Sequence, residues 1–137
     1  MAAVNALHDR MLAAVGALPG VREVGGISAL PLSGDRSQLT VSFPGAPGNT
    51  GQPEHDVPLV DVVTVTEGAL EALDVRLLDG EGLRHGATEP GNQALIDQVL
   101  ARTFFPGRSP VGAALLWQGQ DSLRIAGVIQ QPRMYDL

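Results

Sequence analysis

The chain has 137 residues, 44% of them apolar, which fits one domain that buries roughly two-thirds of its unfolded surface. Its net charge is −6 and all nine basic residues are Arg, scattered rather than clustered, which excludes a basic stripe for nucleic acid or anionic lipid. Aromatics at 4% leave no platform for base stacking, and the lack of Cys rules out disulfides, Cys-ligated zinc and thiol catalysis.

Residues 2–18 predict an amphipathic helix. Val4, Leu7, Met11, Ala14 or Val15, and Leu18 recur at spacings of three and four, and Pro19-Gly20 ends the run. Val21–Leu30 predicts a strand in which Gly25-Gly26 marks a bulge or a close backbone approach. Gln38–Phe43 alternates, with Leu39, Val41 and Phe43 on one face. Residues 44–56 are expected as a flexible loop, because PGAPGNTGQP is too rich in Gly and Pro for a regular element. Val57–Val65 is a β-branched strand, followed by a short helix capped by Thr66 that buries Leu70 and Leu73. Val75–Leu78 is a short strand, and residues 80–91 form a polar loop. Gln93–Ile96 is a buried strand. Asp97 stands where an N-cap is needed for a helix to Phe105, with Leu100 and Phe104 on one face. Pro106-Gly107 stops that helix, Pro110-Val111-Gly112 turns the chain, and Ala113–Trp117 and Leu123–Gln130 form a final hairpin. The order α-β-β-β-α-β-β-α-β-β predicts an α+β fold with a small mixed or antiparallel sheet and about three helices.

No catalytic constellation emerges. His8, His55 and His85 are widely separated and lack metal-ligand spacing. Ser28, Ser33 and Ser37 have no GxSxG elbow, and without Lys there is no Walker A loop. No residue is assigned a catalytic, cofactor-binding or metal role, and no cofactor is expected. The enzyme alternative is a stand-alone soluble hydrolase with a weak metal site in the 79–89 loop, where His85 lies near Asp79, Glu81 and Glu89. Partner contacts fall on Arg102, on the helix after Asp97, and on Pro47, Asn49 and Gln52 in the loop. For Arg102 a plain helix-face arginine packing its stem stands beside that reading.

The stretch Ala94–Gly112, ALIDQVLARTFFPGRSPVG, resembles the MacB-like periplasmic core domain of ABC-transporter permeases of the FtsX-like class. That family shows an apolar strand, Asn-Glu, Ala-Arg-x-x-Phe, Pro-Gly and a Pro-[Ile/Val]-Gly turn. Four further places agree in order: Leu18–Val21, Leu30–Gly34, Val65–Leu78 and Leu123–Arg133. Asp97-Gln98 stands where the family has Asn-Glu, and Gln131-Pro132 where it has Asp-Val. The resemblance implies one extracytoplasmic domain fragment over 1–137, on the periplasmic face of the bacterial inner membrane. It implies a non-catalytic role that couples membrane-helix movement to accessory-protein or cargo contacts. The partners implied are the rest of the permease, its ATPase subunit or domain, and a periplasmic accessory protein. No segment approaches the ~20 apolar residues of a membrane helix, and MAAVNALHDRM lacks the apolar core of a signal peptide. In such a fragment Leu123–Gln130 is expected to be an unpaired sheet edge and a route to a homo-oligomer.

Overall fold

A continuous apolar run such as IAGVI, residues 125–129, suits a strand covered on both faces, and in the computed structural model it lies at the centre of the sheet. The structure describes residues 2–28, 37–66, 68–83, 93–119 and 121–131. In chain order the elements are α1 (Ala2–Gly16), β1 (Gln38–Ser42), α2 (Pro53–Asp56), β2 (Leu59–Asp61), α3 (Ala69–Ala72), β3 (Leu77–Gly80), β4 (Gln93–Asp97), α4 (Gln98–Phe104), β5 (Ala114–Trp117) and β6 (Asp121–Ile129). The fold is α+β, and one six-stranded sheet runs β2-β1-β5-β6-β3, with β4 also paired to β6. All pairings are antiparallel except β4 with β6, which is parallel.

Strand β6 is therefore not an edge, and the sequence expectation is corrected. Arg124 pairs with Ala114 of β5 and with Gln93 of β4, and Val128 pairs with Asp79 of β3 and with Ile96 of β4. From Arg124 to Ile129 the strand has β4 on one side and β5 then β3 on the other, so this part offers no free edge to a second copy. Gly127 is required where β3 crosses: a Cβ there would stand 2.6 Å from the Glu81 carbonyl oxygen and 2.8 Å from that of Asp79.

The segment from β4 to β5 forms as its sequence predicts. Asp97 is the N-cap of α4, its Oδ1 accepting the Leu100 N–H at 2.9 Å. Phe104 is buried, Leu100 packs against the core, and Gly107 and Gly112 take positive φ of 74° and 89° at the turns. Phe43, at the end of β1, meets Phe104 with ring centroids 4.8 Å apart and Phe105 edge-on at 5.7 Å. Each such pair contributes about 0.5–1.5 kcal/mol beyond area burial. All three phenylalanines of the chain thus meet in one cluster, beside Val41, Leu115, Ile125 and Val128.

The first half departs further from expectation. Residues 21–26 form no strand; Ile27 alone bridges Val65, and residues 29–30 lie outside the described residues. Gly25-Gly26 is the close approach its glycines imply. A Cβ at Gly25 would lie 2.3 Å from Ala69 Cα, and the Gly26 N–H donates to Thr66 Oγ1 at 2.7 Å. Thr66 therefore does not cap α3 through its side chain, because its hydroxyl accepts from Gly26. The N-cap is Gly68, held at φ 89°. The helix buries Ala69 rather than Leu73, which is exposed, and Leu70 is half-buried. The strand expected over 57–65 shortens to β2, and the one expected over 75–78 shifts to β3. Helix α1 forms, but Leu7, Met11 and Val15 of its apolar stripe stay exposed, as does Leu18 just beyond its end.

Residues 44–56 do link two paired strands, β1 and β2, as a hairpin. They also contain α2, with Pro53 at its start, where a missing N–H costs nothing. The segment is tied down on both sides. The Gly48 N–H donates to the Phe104 carbonyl at 2.9 Å, Asn49 Nδ2 donates to the Phe43 carbonyl at 2.8 Å, and Ala46 is buried. Asp56 closes the loop, accepting the N–H groups of Thr50 at 2.8 Å and Gly51 at 2.7 Å. His55 Nδ1 lies 2.8 Å from Asp56 Oδ1, and the His55 ring packs 5.6 Å from Phe104.

Two outcomes follow. Gly48→Ala is expected to destabilise the fold by about 1–3 kcal/mol, because its Cβ would stand 2.1 Å from the Thr103 carbonyl oxygen and 2.7 Å from Phe104 Cα. A denaturant midpoint equal to that of the parent contradicts this packing. For Asp56, the Thr50 N–H, then the His55 side chain, then the Gly51 N–H and Thr50 hydroxyl hold its carboxyl down at about 2. A depressed carboxyl contributes stability that is full above its unfolded pKa and is lost as pH falls through its folded one. Carbon-detected NMR titration should therefore give Asp56 a midpoint near pH 2, and Asp56→Asn should flatten stability across about pH 4 to 2. An Asp56 midpoint near 3.8, the ordinary value, would show that the loop is not closed on it.

Candidate functional site

The residues singled out from the sequence fall on two surfaces. Pro47 and Gln52 are exposed on the loop, and Asn49 is half-buried with its amide nitrogen committed to Phe43. The oxygen of the same amide is buried without a hydrogen-bond partner among the described residues. Arg102 is exposed in the last turn of α4, where a cation is favoured by the helix dipole. The loop abuts α4 at Thr103 and Phe104, whereas Arg102 borders a groove that none of the three loop residues lines. The structure thus does not bring Arg102 into one site with Pro47, Asn49 and Gln52.

That groove has a volume of about 500 Å³ and lies between α4 and β3. Strands β6 and β3 supply Val128 and Leu78, and α4 with the following turn supplies Ala101 and Phe105. Arg102, Arg108 and Asp79 are its charged members. Local sequence explains why these groups converge. Pro106-Gly107 reverses the chain after α4, so Arg108 returns toward the sheet, and the Ser109 hydroxyl donates to Asp79 Oδ2 at 2.6 Å. The other Asp79 oxygen accepts the Gly80 N–H at 2.8 Å. Both carboxylate oxygens of Asp79 are therefore engaged inside the fold. Sequence spacing does not single out Leu78 or Arg108, because their proximity depends on β3 pairing with a strand far along the chain.

The metal alternative rests on the 79–89 loop. His85 and Glu89 lie outside the described residues, and Asp79 is engaged as above. Among the described residues no three His, Asp or Glu side chains come together as a ligand group. No described helix is long and apolar enough to cross a membrane.

No family model and no curated protein sequence matches the chain. Solved structures do. The extracellular domain of the noncanonic ABC-type transporter YknZ from Gram-positive bacteria matches with a TM-score of 0.60 and 14% identity, over 90% of this chain and 57% of that one. The periplasmic region of MacB from Actinobacillus actinomycetemcomitans matches with a TM-score of 0.61 and 11% identity, over 93% and 52%. A domain of a putative permease from Porphyromonas gingivalis gives 0.57 and 19%, over 88% and 48%. The chain spans about half the length of these solved domains. At such identities the likeness is one of fold, and it agrees with the resemblance carried by Ala94–Gly112. The chain shares the fold of these extracellular, periplasmic and permease domains.

Proposed function

We propose that the chain is a non-catalytic extracytoplasmic domain of an ABC-transporter permease, coupling movement of membrane helices to contacts with an accessory protein or cargo. The observation that carries this reading is the fold likeness over about nine-tenths of the chain, to three domains named as extracellular, periplasmic or permease parts. The ordered motifs from Leu18 to Arg133 support it from the sequence side. In this reading the chain's partners are the rest of the permease, its ATPase subunit or domain, and a periplasmic accessory protein. The contact residues are Arg102 on the groove side of α4 and Pro47, Asn49 and Gln52 on the loop side. A packed sheet with two surfaces flanking one helix suits a rigid contact module, since interfaces on ordered elements cost little reorganisation on binding.

The chain has no Cys, so a single one reports its location cleanly. Arg22 is exposed and is not among the residues that line the groove. In the full-length gene product, Arg22→Cys is expected to react with a membrane-impermeant maleimide while the cytoplasmic membrane is intact. The unsubstituted protein serves as the background. Labelling that appears only after the membrane is breached overturns the extracytoplasmic reading.

A further inference from the structure

Two arginines, Arg102 and Arg108, border the groove. Arg102 and Arg108 are both exposed, and among the described residues neither guanidinium has an ion-pair or hydrogen-bond partner. The nearby carboxylate, Asp79, is turned to Ser109 and to its neighbouring backbone. Between the arginines and the sheet lies apolar surface: Leu78 is 46% exposed although it sits on a strand, and Ala101, Phe105 and Val128 continue the lining. A chain of net charge −6 that leaves two cations free beside an apolar groove presents a local field opposite to its overall sign.

We infer that this groove binds a short acidic and apolar peptide segment of a partner protein, with aliphatic side chains between α4 and β3 and flanking carboxylates on Arg102 and Arg108. A planar guanidinium donates two parallel hydrogen bonds to a carboxylate, which suits Arg at both positions. The volume falls in the range of sites that take several side chains. A small free anion leaves the apolar lining uncovered. An anionic bilayer would have to lie against a whole face of an acidic chain, whereas a short peptide meets only the groove and its two arginines. Asp79 adds selectivity, because carboxylates on its side of the groove are repelled. This inference names the partner chemistry of the contact role proposed above and rests on it. Peptide binding and outside labelling are read on separate samples, so either fails without the other.

The test is an amide NMR titration of the 137-residue chain with an acetylated and amidated Glu-Glu-Leu-Leu-Glu-Glu peptide. Saturable shifts are expected at Leu78, Ala101, Arg102, Phe105 and Arg108. The Gln-for-Glu peptide, and the acidic peptide on a double variant of Arg102→Gln and Arg108→Gln, should each bind about fivefold more weakly, the factor carried by two exposed ion pairs. Both substitutions are at exposed side chains, and unchanged shifts elsewhere in the spectrum confirm the fold of the variant. Three results overturn the inference. One is no saturable shift at millimolar peptide. Another is equal binding of the Gln peptide or of the double variant. The third is groove shifts produced by citrate or by phosphatidylglycerol vesicles but not by the peptide.

Discussion

Pairing of β6 along both sides is the constraint on which the remaining structure depends. Its residues bond β5 and then β3 on one side and β4 on the other, and its middle, Ile125–Val128, is buried throughout. The parallel partner β4 ends at Asp97, which starts α4 by capping it. Helix α4 then lies where Phe104 and Phe105 meet Phe43 at the end of β1. Through that contact the loop after β1 is drawn onto α4, and the groove opens on the other side, toward β3. Both surfaces assigned to partner contacts hang from one helix whose position is set by one strand.

Ala94–Gly112 was legible because its signals are local. An apolar strand, an Asp cap, two aromatic residues at the helix end and Pro-Gly turns each act within a few residues of one another. The position of β6 was not legible in that way, since β3 and β4 reach it from distant parts of the chain and periodicity names no partner. The unbroken run IAGVI was the available sign that the strand is covered on both faces. Val21–Leu30 failed for a related reason: Gly25-Gly26 gives up strand pairing to let the chain approach Thr66 and Ala69. In the loop, Pro53 followed by Glu54 and Asp56 was a helix-start signal hidden by the Gly and Pro around it. Of the contact residues, Arg102 was visible as a helix-face cation, whereas its neighbours Leu78 and Arg108 become visible only with the sheet assembled.

The functional reading draws on two independent sources. Short motifs in order resemble an extracytoplasmic permease domain, and the fold likeness to three solved domains, at 11–19% identity, agrees with that resemblance. Among the described residues the one ionisable group with a resolved perturbation is Asp56, and its cause is the set of hydrogen bonds that closes the loop. Arg102 and Arg108 are exposed beside the groove of an otherwise acidic chain.

The most direct measurement of the account is residue-resolved amide hydrogen exchange on the native chain, because every surface described here depends on β6 being interior. The amides of Ile125–Val128 should be the slowest in the molecule, exchanging only through global unfolding, while those of the outer strand β2 exchange through local opening. Exchange in β6 as fast as in β2 would contradict the central placement of that strand, and with it the positions of α4, the loop and the groove.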